Sequence, residues 1–400
     1  MTLRIGFLTT HPIQYQAPVF RALAEQPDVE FTALFAMQPD ERQQGAGFGV
    51  DFQWDLPLQE GYDWELLDNV ARRPDVTHFT GCDTPGIKRV LRRRRFDLLV
   101  VNGWVVRSCL QGLAACRRLG IPCVVRGEAN LLRCRAWWKS VVHRRLLRRY
   151  AGALYIGAAN RAFYESHGIP ASRLFSSPYC VENQRFNERA DEWTGYTTEL
   201  RRRFGVPEDV VCFVFAAKFI SKKHPVELVH AFGDAVRRGA RAHLLMVGDG
   251  ELRPACEEYA RASNLPVTFT GFLNQTQIAE AYLAGDCLVL PSDAGETWGL
   301  VVNEAMACGR PAIVSSLVGC AEDLVVPGET GAVFPYGQWQ ELARLLEEHA
   351  QDRARLQTMG AHARRQVESY SPDSAARGIL MAAGQLTNTA KSRGLAMASR

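Results

Sequence analysis

From residue 210 onward short β-rich runs alternate with longer stretches of helical periodicity, and this alternation restricts the fold more than any other feature of the chain. The runs are 211–217, 243–247, 267–270, 287–290 and 311–315. Each ends in a Gly, Pro or Asp turn, and helical patterns such as 225–237 and 275–284 fill the intervals. Strand, helix, strand at this spacing demands crossovers between parallel strands, and so a sheet covered by helices on both faces. The first half repeats the alternation less regularly, with runs at 4–9, 31–36, 97–101, 123–126 and 153–156. The chain has 400 residues, and single cores stop growing near roughly 250 to 300. The expected fold class is therefore α/β, with two doubly wound domains joined near 177–193, where Pro178, Asn183 and Asn187 interrupt the periodicity. Such sheets take ligands outside the carboxyl ends of their strands, which places a site in the cleft between the two domains.

Composition excludes several alternatives. At 47% hydrophobic and 22% charged residues the chain is an ordinary globular sequence, neither disordered nor fibrous. The longest apolar stretch, 210–217, is far below the ~20 residues that span a bilayer, and the first ten residues lack the apolar region of a signal peptide. The eleven cysteines are odd in number, scattered and mostly set in apolar runs, so they read as reduced core thiols of a cytoplasmic protein. No C-x-x-C pair and no cluster of the nine histidines has metal-ligand spacing, so no metal site is expected. Charge is uneven: residues 1–70 carry three basic and eleven acidic side chains, whereas 71–164 carry twenty and four. The basic stretch has no RNA or DNA motif and only Trp137 and Trp138 as an aromatic pair, so nucleic acid is not an expected partner.

The segment 291–311, PSDAGETWGLVVNEAMACGRP, carries the chemistry. It follows a buried run, breaks at Asp293-Ala294-Gly295, and starts a helix whose first turn is Thr297, Trp298, Gly299 and Leu300. Backbone N–H groups at a helix start, with the positive end of its dipole, suit a diphosphate. Glu296 precedes that turn and Glu304 follows eight residues later. A helix starting near Trp298 puts Glu304 about 9 Å along its axis, roughly a diphosphate's length. Carboxylates only accept hydrogen bonds, which suits sugar and ribose hydroxyls. A second loop, KFISKKHP (218–225), sends Lys218 and Lys223 out from the carboxyl end of the run 211–217, at phosphate height. A solvated loop is the other reading of the two lysines, and a helix-terminal charge with a surface glutamate is that of the two glutamates.

ETWGLVVNEAMACGRP resembles the E-x7-E signature of retaining GT-B glycosyltransferases of family four (glycosyl transferases group 1). The order KFISKK, MVGDGELR, FTGFLNQTQIAEAY, CLVLPS and VPGETGAVF extends the likeness over most of 208–370. The resemblance implies a GT-B fold of two Rossmann-like domains: 1–180 on the acceptor side, 181–375 for the nucleotide-sugar donor, and 376–400 a C-terminal helix and tail, with a return to the N-terminal domain left open. It implies that Glu296 contacts sugar hydroxyls, Glu304 the ribose, and Lys218 and Lys223 the diphosphate, with the base near Gly271, Phe272 and Leu273. Lys218 stands where the family usually has Arg, so its grip is less directional. The loop THPIQYQAP replaces the usual Gly-Gly turn and is similar to a subset of bacterial polysaccharide-associated members. Arg126-Gly127-Glu128 stands where a donor-contacting histidine is common.

On the acceptor or sugar side, His11 reads either as a contact to phosphate or acceptor hydroxyl or as a turn cap before Pro12. Arg126 and Glu128 read either as ligand contacts at a strand end or as a structural ion pair. The glycine-rich loop 43–50 is a candidate flap over the acceptor, or a plain connection. The expected activity is a metal-independent, retaining transfer of a hexosyl unit from a nucleotide diphosphate sugar to a hydroxyl of a glycan, lipid-linked or small-molecule acceptor, without a cofactor. A nucleotide-sugar epimerase and a non-turning nucleotide-sugar-binding scaffold are the rivals. The basic stretch, above all 92–95 and 133–150, suggests contact with an anionic face of the inner membrane. Its alternative is a solvated helix whose apolar members pack on the domain core.

Overall fold

The computed structural model describes residues 2–45, 47 and 49–398, with side chains as far as Thr387; the expected C-terminal helix and tail, 376–400, is helical as far as Ala398. The chain falls into two compact units, one of residues 1–40, 57–179 and 372–400, the other of 41–56 and 180–371. Residues 41–56, though inside the span 1–180, group with the second unit. The closing helix Pro372–Ala398 groups with the first, where the Ser177 hydroxyl donates to the Ala375 carbonyl.

The first unit is built on seven parallel strands, β1 (Leu3–Thr9), β2 (Val29–Phe35), β3 (Asp63–Leu66), β4 (Leu98–Asn102), β5 (Cys123–Arg126), β6 (Gly152–Tyr155) and β7 (Leu174–Ser176). Their order in the sheet is β3-β2-β1-β4-β5-β6-β7. The second unit holds six, β8 (Val211–Ala216), β9 (Ala242–Val247), β10 (Val267–Gly271), β11 (Cys287–Leu290), β12 (Ala312–Ser315) and β13 (Gly331–Phe334), ordered β10-β9-β8-β11-β12-β13. Every residue of β8, β9, β11 and β12 is buried, as expected of strands covered on both faces, and this is why they read as unbroken apolar runs.

Both sheets reverse their winding once, between β1 and β4 and between β8 and β11. At a reversal the crossovers on either side leave in opposite directions, and a crevice opens at the carboxyl ends. The loops leaving β8 and β11 are those of the lysines and of Glu296. At the opposite, amino end of this strand pair a buried ion cluster ties the unit together. Asp286 accepts the Cys212 N–H at 2.8 Å, pairs with Arg201, and takes the Arg353 Nε at 2.8 Å. Arg201 also donates to the carbonyls of Pro207, Glu208 and Val210.

Candidate functional site

Pairing of β8 with β11 brings together two loops that are 73 residues apart in sequence. After β8 the chain makes a single 3₁₀ turn, Ser221–Lys223, and enters the helix Pro225–Arg237 at its expected boundaries. After β11 it runs through Pro291 to Gly299 into the helix Leu300–Ala307. The Lys223 ammonium donates to Glu296 Oε2, with 13% of each side chain exposed. The two loops are also stitched by backbone: the Asp293 N–H donates to the Lys222 carbonyl at 3.0 Å, and Lys222 Nζ reaches the Gly295 carbonyl.

Burial, together with the like charges of Lys222 and Lys218, pulls the Lys223 ammonium down from its ordinary value to about 7, against the opposing pull of Asp293. The contact with the Glu296 carboxylate works in the same direction as Asp293. Lys218 is likewise lowered, by burial and then by Lys222. Three lysines on one short loop thus repel one another and present a concentrated positive charge suited to an anion.

The helix starts at Leu300, not near Trp298, because Gly299 holds a left-handed φ of 103° that a helix cannot continue through. Glu304 is therefore only four residues into the helix, roughly 6 Å along its axis rather than 9 Å. The loop ahead of the helix is clamped from outside. The Gly319 N–H donates to the Glu296 carbonyl and the Cys320 N–H to the Trp298 carbonyl. A Cβ on Gly319 would lie 1.9 Å from the Thr297 carbonyl oxygen, so only glycine permits this approach. Trp298 is buried and its indole N–H donates to Asn303, so its side chain holds the loop's shape. Thr297 and Leu300 are half-buried at the helix entrance.

Glu304 is 1% exposed, and sequence reasoning missed what surrounds it. The Tyr282 hydroxyl donates to its Oε2 at 2.7 Å and the Gln275 amide to its Oε1 at 3.3 Å, while Arg185 holds Gln275 through its side-chain and backbone oxygens. Gln275 and Tyr282 both lie in FTGFLNQTQIAEAY, so the motif contained them; Arg185 lies in the poorly periodic join and gave no signal. Phe272 and Leu273, just after β10, are half-buried. Phe272 packs against Phe52 with the rings tilted, centroids 4.3 Å apart, and Asn274 and Thr276 bond to Gln53 and Asp55. The candidate flap 43–50 thus belongs to a segment grouped with the second unit, with Ala46 and Phe48 outside the described residues.

The other three candidates lie in the first unit. His11 follows β1, with its Nδ1 2.8 Å from the Thr10 hydroxyl, and burial pushes its imidazole down to about 4. It is neutral at pH 7, so it brings no charge to a phosphate. Arg126 ends β5 and is buried. Its guanidinium donates to the Ser177 hydroxyl and to the carbonyls of Ser177 and Pro178, and lies 4.6 Å from the Tyr179 ring centroid. These contacts give it a structural task, tying β5 to the segment after β7. Glu128 is exposed and accepts a bond from the Tyr179 hydroxyl. An Arg126–Glu128 ion pair, one of the two readings of these residues, is not among the ion pairs of the described residues; Tyr179 contacts both partners instead.

Two sheets, each with a single winding reversal, and a cationic loop facing a glutamate loop at the second reversal define an α/β protein with concentrated positive charge beside a carboxylate at the carboxyl ends of β8 and β11. Residues 197–366 match the family model described as Glycosyl transferases group 1, so this stretch carries that domain. Over 193 residues the chain is 30% identical to the sulfoquinovosyl transferase SQD2 of Arabidopsis thaliana, covering 48% of this chain and 36% of that protein. The chain spans roughly a third to a half of the curated relatives it matches, between 34% and 52% of their length. Likeness to solved structures extends over nearly the whole chain. Sucrose-phosphate synthase from Thermosynechococcus elongatus has a TM-score of 0.69 at 17% identity, with 97% of this chain and 100% of that one covered. Anabaena HepE, solved in complex with UDP and glucose, has 0.71 at 17%, with 96% and 100% covered. These likenesses show the fold, GT-B with two Rossmann-like α/β domains.

Proposed function

We propose that the protein is a retaining glycosyltransferase that moves a sugar from a nucleotide diphosphate sugar to a hydroxyl of a glycan, lipid-linked or small-molecule acceptor, in bacterial polysaccharide assembly. The observation that carries this reading is the meeting of Lys223 and Glu296 beside a helix start at the winding reversal of the second sheet, within the matched segment. A structural neighbour that holds UDP and glucose supports a donor of this class. Lys218, Lys223 and the N–H groups at the start of Leu300–Ala307 receive the diphosphate. A phosphate that draws the Lys223 ammonium toward itself releases Glu296 to accept the sugar hydroxyls. Glu304 serves the ribose, which it meets only when the donor takes over the contact of Gln275 or Tyr282. In the reacting step the bond from the anomeric carbon to the phosphate oxygen breaks and a bond to the acceptor oxygen forms on the same face. The departing phosphate oxygen takes the acceptor proton. On this reading the enzyme works in the cytoplasm, consistent with ten buried free thiols, and at the inner membrane face where its acceptor is lipid-linked.

Thermal stabilisation across a panel of nucleotides and nucleotide sugars tests the donor, since a ligand at 100 times its Kd adds about 2.7 kcal/mol. Glu296→Ala is expected to lower turnover, and Glu304→Ala to weaken donor binding, each by about 1.5 to 3 kcal/mol for a lost charge-assisted bond. Wild-type kinetics in both variants would remove the assignment. Consumption of the donor with no acceptor glycosylated would favour the epimerase.

We also propose that transfer needs no divalent cation. Lys218, Lys223 and the helix start supply the positive charge that a metal ion otherwise brings to a diphosphate. Asp249, on the turn after β9, spends its carboxylate on the Arg253 guanidinium at 2.7 Å and the Gly250 N–H at 2.8 Å. Activity is expected to persist in EDTA; loss restored by Mg²⁺ or Mn²⁺ contradicts this.

A further inference from the structure

The crossover between β5 and β6 contains the helix Trp137–Leu147, of which only Leu147 is buried. His143, Leu146 and Leu147 turn toward the domain, where the His143 ring lies 5.4 Å from Trp104. The apolar residues of the first two turns face solvent instead: Trp137 is 79% exposed, Val142 53%, Trp138 52% and Val141 39%. The sequence-based alternative, a solvated helix whose apolar members pack on the core, holds for Leu146 and Leu147 but not for these four residues. Leu131, just upstream, is also exposed. Single exposed apolar residues are ordinary, but five in one short segment form a patch that calls for a partner.

The basic residues are arranged just as unevenly. Arg144, Arg145, Arg148 and Arg149 are exposed, and among the described residues none of them is in an ion pair. No Asp or Glu occurs between Glu128 and Glu165. The other arginine cluster is different, for Arg93 and Arg94 are paired with Glu65 and Asp63. On the exposed side of the 137–149 segment the four apolar residues precede the four arginines along the helix axis, with Lys139 lying over Trp138, which is why its periodicity does not read as amphipathic. Trp138, Val141, Val142 and Arg145 fall at i, i+3, i+4 and i+7 and share the outward face.

We propose that this face docks on an anionic lipid bilayer. The two indoles and their aliphatic neighbours enter the headgroup boundary, where amphipathic rings are favoured, while the arginines of the last turn meet lipid phosphates. The single sign of charge selects this partner over a second copy of the chain, because two such faces meeting symmetrically set like charges against each other. The proposal deepens the functional reading by naming the surface at which a lipid-linked acceptor is met, but its test reads lipid binding without transfer.

The full chain is sedimented with vesicles of phosphatidylcholine alone and with one third phosphatidylglycerol, at low and high salt. Binding is expected only to the anionic vesicles at low salt. Each basic residue near such a surface contributes about a factor of five, so reversing Arg144, Arg145, Arg148 and Arg149 to Glu should lower the partition coefficient more than about a hundredfold. Trp137→Ser with Trp138→Ser should lower it about tenfold. All six side chains are exposed, and an unchanged far-UV circular dichroism spectrum and melting temperature verify that both variants are folded. The proposal is overturned if wild type ignores anionic vesicles at low salt, if both variants bind as wild type does, or if the wild type is a dimer that the tryptophan variant makes monomeric. Vesicle binding without any nucleotide stabilisation would sink the donor reading and leave the docking surface standing.

Discussion

Replacing Asp286 by Ala is expected to destabilise the second unit by about 3 to 5 kcal/mol, the cost of leaving a buried charge without its partner. Arg201 is the reason. It is 1% exposed, its guanidinium pairs with Asp286, and its remaining bonds go to neutral carbonyls that cannot neutralise it. The substitution also strips the Cys212 N–H of its carboxylate acceptor and leaves the Arg353 guanidinium with the Glu208 carbonyl. Asp286 lies at the amino end of β11 beside β8, so the loss loosens the strand pair that carries both site loops at its other end. Urea unfolding followed by a probe in this unit should show a lower midpoint with little change in slope. Because removing both charges is far less damaging than removing one, Arg201→Met in the Asp286→Ala background should recover a large part of the loss. A change below about 1 kcal/mol in the single variant would mean that the cluster is not what holds the strand pair.

Lys223→Ala should weaken binding of a nucleoside diphosphate by about 10- to 150-fold, equivalent to roughly 1.5 to 3 kcal/mol for a charge-assisted contact. Part of the effect is repulsion: without Lys223 the Glu296 carboxylate loses its ion-pair partner in the place proposed for the phosphates. The pH dependence gives the sharper test. With its ammonium lowered to about 7, Lys223 carries its full charge below that pH and loses it above. An arriving anion binds the protonated form and raises the pKa, so binding takes up a proton on the alkaline side. Affinity is then full below about 7 and falls as pH rises, by at most tenfold per unit. Calorimetry between about pH 7.5 and 9.5, in buffers of different ionisation enthalpy, should find proton uptake in the wild type and clearly less in Lys223→Ala, where only Lys218 is left with a lowered ammonium pKa on the phosphates. Lys223→Arg, charged throughout, should bind with little pH dependence. An affinity that is flat with pH in the wild type would show that Lys223 does not meet the phosphates.

Five strands of the second unit and five of the first were legible in the sequence, most of them to within a residue or two at either end. Strands such as β8 and β9, buried on both faces, cannot contain anything but apolar residues. The three that escaped, β3, β7 and β13, are all sheet edges. An edge strand has one neighbour and an open side, so β3 can be DWEL with an exposed Trp64, and β7 can stop after three residues.

Local chemistry alone determined that a lysine loop follows one buried strand and a Glu-containing helix start follows another, because turn, cap and dipole act within a few residues. That Lys223 meets Glu296 was decided by the pairing of β8 with β11, a tertiary fact that no spacing of 73 residues encodes. The same holds for Glu304, whose neighbours Gln275 and Tyr282 come from other elements, and for Arg126, which the segment after β7 draws into structural bonds. Periodicity counts apolar positions but does not say whether anything covers them. The sequence placed Trp137 and Trp138 on a basic helix, and only the packing of that helix through His143, Leu146 and Leu147 left the indoles in solvent.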